Sequence, residues 1–265
     1  GFSIGGELGA EAGHRGIEER HGPAALEEFL GDMKFFLDCV LDQGPQGMEF
    51  LPGRIVYAYR GNWKLQLDNG LDPYHLTSTH TSFIDIQDRR RGGKGNVEAK
   101  QFDWEKRAAT QGGVFGFDHG HALVWNDHPQ PQNRPIYPSG DEIRSRVGRV
   151  RGNWILNRLR QVTVFPNMQI PEAISQLLRT FEPVSVDRTV MRVYALAPIG
   201  EKPELRAWRL RQFEDFFNPT GIATPDDVAT YEECQRGFDA SGALGWMQGY
   251  TRGISAMDSG DNEVT

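Results

Sequence analysis

The segment DNGLDPYHLTSTH, residues 68–80, brings Asp68, Asn69, Asp72, His75 and His80 into one short run. Two imidazoles beside carboxylates are a donor set for a divalent transition metal, with a nearby carboxylate able to orient a ring. The spacing restricts how they meet. Residues five apart on an ideal helix point roughly 140° away from each other, so His75 and His80 cannot share a face as the histidines of H-E-x-x-H zinc enzymes do. Pro73 lacks an amide hydrogen and crowds the preceding turn, so it marks the start of a helical segment or a break in one. A distortion there would let both rings converge. The plain alternative is two ordinary histidines, one in the core and one at the surface.

A second cluster is TPDD, residues 224–227, where acids in the first turn of a helix complement its dipole. Helical periodicity separates the two aspartates. Asp227 shares a face with Tyr231, Cys234 and Phe238, and Asp226 shares one with Thr230, Glu233 and Gly237. Asp227 is therefore predicted to point inward. A buried carboxylate is costly unless paired or bound to metal, which makes Asp227 the natural third ligand for His75 and His80. Two histidines and a carboxylate on one side of iron(II) leave positions open for dioxygen, but zinc hydrolases can use the same donors. The ligands alone do not name the metal.

These residues need a frame. Residues 1–22 carry no sustained apolar period and read as a loosely held lead-in. Pro23 opens an amphipathic helix in which Leu26, Phe29, Leu30, Met33, Leu37, Val40 and Leu41 recur at three- and four-residue steps. GRIVYAYR, 53–60, alternates like a strand, with Ile55, Tyr57 and Tyr59 on one side. Residues 87–112, with the basic run Arg89, Arg90, Arg91 and Lys94, read as a solvated excursion over the surface. GGVFGFDHGHALVWND is predicted as a hairpin, and a charged helix follows at roughly 140–160. In that hairpin His119 and His121 flank Gly120 and are read as structural, since no carboxylate pattern partners them. QVTVFPNMQI, SQLLRTFEPVSV and TVMRVYALAPI are strands joined by short turns, an antiparallel meander. Two helices close the chain. The first begins at Pro203 and sends Leu205, Trp208 and Phe216 inward, and the second has Thr224 as N-cap and Pro225 at its first position. The expected class is α+β, a mostly antiparallel sheet gripped by helices.

Composition narrows the function. A net charge of -7 argues against a sequence-blind nucleic-acid binder. No apolar run approaches the length that crosses a bilayer, and no signal-peptide pattern opens the chain, so no membrane role is expected. The two cysteines, Cys39 and Cys234, form no metal-ligand pattern and no disulfide framework. A reducing, cytoplasmic setting fits. The length of 265 residues suits one large domain.

NWKLQLDNGLDPYHLTSTH (62–80) resembles the iron-binding segment of the large, or alpha, subunit of Rieske-type aromatic-ring-hydroxylating dioxygenases. The similarity continues through FGFDHGHALVW, VFPNMQI, VSVDRT, RLRQFEDFFNPTG and ATPDDVATYEECQRG, and leans toward the benzoate, toluate, halobenzoate and anthranilate branch. The resemblance implies a helix-grip fold over 23–265 and a mononuclear Fe2+ held by His75, His80 and Asp227. It makes Asp72 the catalytic aspartate that bridges to a neighbouring subunit's Rieske cluster. It implies an aromatic carboxylate substrate, dioxygen as co-substrate, and a cis-diol product, or a catechol from an amino-substituted ring. Asn69, Leu76 and Phe217 are candidate substrate-binding residues, Phe217 being equally readable as core. A substrate carboxylate calls for a buried arginine; Arg160 and Arg179 are candidates, each read first as a surface or strand residue.

Two departures stand out. Asp68 replaces the glutamate usual before the asparagine. Neither Cys39 nor Cys234 lies in the C-x-H or C-x-x-H pair that a Rieske [2Fe-2S] cluster requires. The expectation is a catalytic half whose electrons come from a Rieske centre elsewhere, working with a reductase, a small (beta) subunit and a trimer of alpha subunits. The rival readings are a zinc-type hydrolase on the same triad and a non-catalytic shell that binds aromatic ligands.

Overall fold

The computed structural model describes residues 23–92, 110–172 and 175–244; the lead-in expected at 1–22 lies outside them. Strands β1 (Met48–Phe50), β2 (Ile55–Tyr59), β3 (Gly112–Gly116), β4 (Ala122–Asp127), β5 (Arg158–Val164), β6 (Met168–Pro171), β7 (Leu177–Ser185) and β8 (Arg188–Pro198) form one eight-stranded sheet. Its order is β1-β8-β7-β6-β5-β4-β3, with β2 also paired to β8, and every pairing is antiparallel. The expected hairpin is β3–β4, and β5 to β8 run as the predicted meander.

Side chains alternate across the sheet, so each strand supplies two cores. On one face Leu159, Leu177, Val193, Ala195 and Ala197 pack against Phe83, Phe213, Phe216 and Phe217. On the other, Val162, Val164, Ile170, Leu178 and Leu196 pack against Met33, Phe36 and Val40. The first face is covered by helices α5 (Thr81–Gly92) and α7 (Pro203–Phe216), and the second by α2 (Met33–Leu41). This is the expected α+β, helix-grip arrangement, and the aromatic content of the first face builds the wall of the candidate site.

Several boundaries differ from expectation. The helix opened by Pro23 is two helices, α1 (Pro23–Leu30) and α2, divided where Gly31 takes φ +46, a left-handed value that ends a helix. Leu26 is consequently exposed, because only α2 lies flat on the sheet. The charged helix is α6 (Gly140–Asn157), and it runs directly into β5. Residues 87–92 belong to α5, not to a surface loop; Arg89 is exposed on it, and Lys94 lies outside the described residues. Along α7 the inward residues are Arg209, Gln212, Phe213 and Phe216, while Leu205 and Trp208 are only half-buried. In α8 (Thr224–Leu244) the carbonyl of Ala223 accepts the amide of Asp227, so Ala223 and not Thr224 holds the cap position. Among the described residues no helix is long and apolar enough to cross a membrane.

Candidate metal centre

Helix α3 (Trp63–Asn69) opens on Asn62, whose side chain accepts the Lys64 amide as an N-cap. Its last residue, Asn69, and the following turn carry the chain to α4 (His75–Ser78), a single turn. The Asp72 carboxylate starts that turn by accepting the amides of Tyr74 at 2.8 Å and His75 at 3.2 Å. The helix is broken before His80, which precedes α5. His75 therefore opens one helical piece while His80 stands in the break before the next, and this break removes the restriction that five-residue spacing would impose on one helix.

The turn can lie against the sheet because residue 70 is glycine: a Cβ there would stand 2.0 Å from Nε2 of Gln169. Gln169 is fully buried, and its Oε1 accepts from Gln66 Nε2 at 3.2 Å and from Arg179 Nε at 3.0 Å. Its Nε2 donates to the Gln66 carbonyl at 3.2 Å and to Thr163 Oγ1 at 3.3 Å. This network fastens α3 to β5, β6 and β7. Asp227 arrives from the other side. Gly221, where a Cβ would meet the Phe217 carbonyl oxygen at 2.1 Å, permits the tight turn between α7 and α8.

His75, His80 and Asp227 each offer a ligand atom, and these atoms all lie within 4.8 Å of one another. His80 Nε2 is 3.1 Å from Asp227 Oδ1, and His75 Nε2 is 3.9 Å from the same oxygen. Asn69 Nδ2 donates to Asp227 Oδ1 at 3.0 Å and approaches His75 Nε2 at 3.2 Å. His75 Nδ1 faces the Asp72 carbonyl oxygen at 2.6 Å. A carbonyl can only accept, so Nδ1 carries the proton and Nε2 presents a lone pair, the tautomer a metal needs. His80 turns Nδ1 toward Asp226 Oδ2 at 3.6 Å, leaving Nε2 toward the centre. Two imidazoles and a carboxylate this close together are a donor set that fits a divalent metal such as iron(II) or zinc.

Charge follows the same geometry. Burial pushes His75 below its ordinary value, aided by His80 and opposed by Asp227 and Asp72. Burial acts on His80 in the same direction, but the close contact with Asp227 and the charges of Asp227 and Asp226 outweigh it and hold His80 above its ordinary value.

Two sequence expectations change. Asp72 was expected to orient the metal-side histidine through its carboxylate; it does so through its main-chain carbonyl, with the nearest carboxylate oxygen 3.7 Å from Nδ1. Asp226 was assigned to an outward face, yet it is only partly exposed, receives the Ser82 hydroxyl at 3.0 Å and supports His80. The inward face of α8 is Asp227, Tyr231 and Gln235, and Cys234 is exposed. His121 is fully used away from this centre: its Nε2 faces the Phe29 carbonyl at 2.8 Å and its Nδ1 accepts the Phe165 amide at 3.0 Å, which matches its structural reading.

Beneath the triad a cavity with about 680 Å³ of atom-free space, part of it open to solvent, runs under the sheet face. Asn69, Leu76 and Phe217 all line it, as do Phe216 and Arg179. Arg160 also lines it, but its guanidinium is already paired with Glu172 at 2.5 Å and reaches toward the Cys39 carbonyl. Both arginines are strand residues, as read, Arg160 on β5 and Arg179 on β7, and both are buried and not at the surface. A second groove reaches the triad from outside between α3 and α8, past Asp68, Asp72, Thr230 and Cys234.

The family described as ring hydroxylating alpha subunit (catalytic domain) matches residues 51–263. The toluate 1,2-dioxygenase subunit alpha of Pseudomonas putida is 37% identical over 245 residues, covering 92% of this chain and 54% of the relative. The 2-halobenzoate 1,2-dioxygenase large subunit of Burkholderia cepacia is 38% identical, with 84% and 50% covered. The anthranilate 1,2-dioxygenase large subunit of Acinetobacter baylyi is 39% identical, with 81% and 47% covered. The chain thus spans about half the length of the curated relatives it matches. Among solved structures, naphthalene 1,2-dioxygenase from Rhodococcus sp. bound to indole shares the fold at a TM-score of 0.72 and 22% identity, covering 86% of this chain and 54% of that one.

Proposed function

The chain belongs to the ring hydroxylating alpha subunit (catalytic domain) family, and on that premise we propose that it is the oxygenase half of an enzyme that dihydroxylates an aromatic carboxylate. The observation that carries this reading is the convergence of His75, His80 and Asp227 over a cavity walled by Phe216 and Phe217. In this reading the three residues hold iron(II), which when bound supplies the reduction of dioxygen that ring oxygenation requires. The names of the similar proteins support an oxygenase over a hydrolase on the same donors, and support toluate- or anthranilate-like acids as the substrate class. The product would be a cis-diol, or a catechol where an ortho amino group leaves as ammonia and the carboxylate as carbon dioxide.

The protein's own groups would bind and orient. Asn69 holds the Asp227 carboxylate through its amide, and the Asp72 carbonyl fixes the His75 ring. Leu76 and Phe217 would offer apolar surface to a planar ring and keep bulk water from it. The groove on the Asp72 side would admit electrons from a Rieske cluster outside this sequence, which has no cysteine–histidine pair to hold one. A reductase, a beta subunit and a trimer of alpha subunits belong to this proposal, as does a cytoplasmic setting, with 23–265 as the oxygenase domain and 1–22 as lead-in.

The test is an oxygen-18 experiment. Iron-loaded protein is mixed with a reductase, an intact Rieske-domain donor and benzoate or anthranilate. Incorporation of both labelled atoms into a diol or catechol supports the proposal; electron consumption with no labelled aromatic product overturns it in favour of a non-catalytic ligand-binding shell.

A further inference from the structure

The other shielded arginines in this fold have a carboxylate or carbonyl partner, although Arg160 leaves Nε and Nη1 without one. Arg160 pairs with Glu172 at 2.5 Å, Arg209 pairs with Glu201 at 2.6 Å, and Arg134 donates to the carbonyls of Ile155, Leu156 and Arg158. Arg179 differs. It stands on β7 with only 7% of its surface exposed, yet it has no carboxylate partner among the described residues. Its one hydrogen bond there runs from Nε to Gln169 Oε1 at 3.0 Å.

That bond uses the side edge of the guanidinium and leaves the two terminal nitrogens without an acceptor among the described residues. Gln169 cannot swing, because Gln66 and Thr163 hold both ends of its amide. The direction of the fork is therefore fixed in advance. An unpaired cation in such a place is unfavourable by itself, since burial strips its water without returning a counter-charge. The missing counter-charge has a place to come from: Arg179 lines the same cavity as His75, His80, Asp227, Leu76 and Phe217. The fields of Arg179 and Asp227 both reach the hydroxyls of Tyr57 and Tyr231, so cation and metal-side carboxylate stand within one electrostatic neighbourhood.

We propose that Arg179 is the specificity-determining residue of this cavity, taking the substrate's carboxylate in a two-point pair through its terminal nitrogens while the ring lies against Leu76 and Phe217. Two parallel N–H···O bonds match a carboxylate and no neutral ring substituent so well. The inference rests on the oxygenase reading above. It assigns to Arg179 the choice of acids over unsubstituted arenes, a choice that the triad does not make.

The test compares benzoate with benzamide, its neutral counterpart of similar shape, by calorimetry on the iron-loaded chain. Arg179→Gln and Arg179→Lys are measured beside the parent, with iron content as the check that the centre is intact. Expected is tight binding of benzoate by the parent, a loss of roughly 100-fold in Arg179→Gln from leaving a carboxylate unpaired, a smaller loss in Arg179→Lys, and little change for benzamide. If Arg179→Gln keeps its iron but weakens both ligands equally, or weakens neither, the role of Arg179 is overturned while the oxygenase reading stands. If the parent binds neither ligand, the oxygenase reading fails and takes this inference with it. Should Arg179→Gln lose its fold, Arg179→Lys decides: unchanged preference for benzoate over benzamide would overturn the two-point pair.

Discussion

The Nε2 of His80 lies 3.1 Å from Oδ1 of Asp227, a contact between a residue at the break before α5 and one in the first turn of α8. The sheet makes the contact possible. Phe83 on α5 and Phe216 on α7 meet edge to face with ring centroids 4.7 Å apart, over Leu159, Leu177 and Val193. That packing brings the two ends of the site together. Each group in the centre is then held by a neighbour whose removal has a distinct expected effect.

Asp226 supports His80 from behind at 3.6 Å and is itself held by Ser82. Asp226→Asn removes charge but keeps shape, so iron affinity should fall by about 10-fold or somewhat more, the usual effect of losing a group behind a metal-bound histidine. An iron(II) titration of this variant beside the parent measures it. Unchanged affinity would remove Asp226 from the account.

Asp72 touches His75 through its main chain, and its side chain caps α4. Asp72→Asn keeps the main-chain contact and, with its single acceptor oxygen, one of the two capping bonds, so it should cost less than Asp72→Ala, which should lose about 1 kcal/mol of stability. Iron content should be unchanged in Asp72→Asn while the rate of reduction by a Rieske donor falls. Loss of iron from that variant would show that the carboxylate, not the carbonyl, is what matters.

Gly70 and Gly116 make a matched pair. A Cβ at 70 would strike Gln169, which a network of hydrogen bonds holds in place, whereas a Cβ at 116 meets nothing within 4 Å. Gly70→Ala should cost about 1–3 kcal/mol as an overpacked site and loosen Arg179 with it. Gly116→Ala should be close to neutral. Thermal denaturation of both variants distinguishes a steric cause from a general intolerance of alanine.

Burial pushes His128 down to about 3 from an ordinary 6.5, and its Nδ1 accepts the Gln130 amide at 3.0 Å, a bond that protonation of that nitrogen would break. A depressed value in the folded state means that the unfolded chain binds the proton first. Stability attributable to His128 is therefore full above about pH 6.5 and lost as pH falls toward 3, by at most about 1.4 kcal/mol per pH unit for one group. His128→Gln should flatten that part of the stability curve, as followed by denaturant unfolding between pH 7 and pH 4.

Much of this arrangement was legible in the residues. Alternation in GRIVYAYR and in the three later strands specified the sheet, and the face shared by Asp227 and Tyr231 specified which aspartate turns inward. The break between His75 and His80 was legible only as a requirement, because Pro73 marks a start or a break without saying where α4 ends. Arg179 was legible as a candidate partner for a carboxylate, but its burial was not. An arginine on a strand reads as solvent-facing, and only the pairing of β6 with β7, which sets Gln169 beside Arg179, shows that it faces the cavity. The Gly31 break was also hidden, since the apolar period continues through it while the backbone does not.

The central claim is that His75, His80 and Asp227 form one metal centre. Iron content after anaerobic reconstitution with iron(II), measured for the parent, His75→Ala and Asp227→Ala, tests it most directly. The account predicts one iron per chain in the parent and loss in both variants; a parent without iron, or variants that retain it, would contradict it.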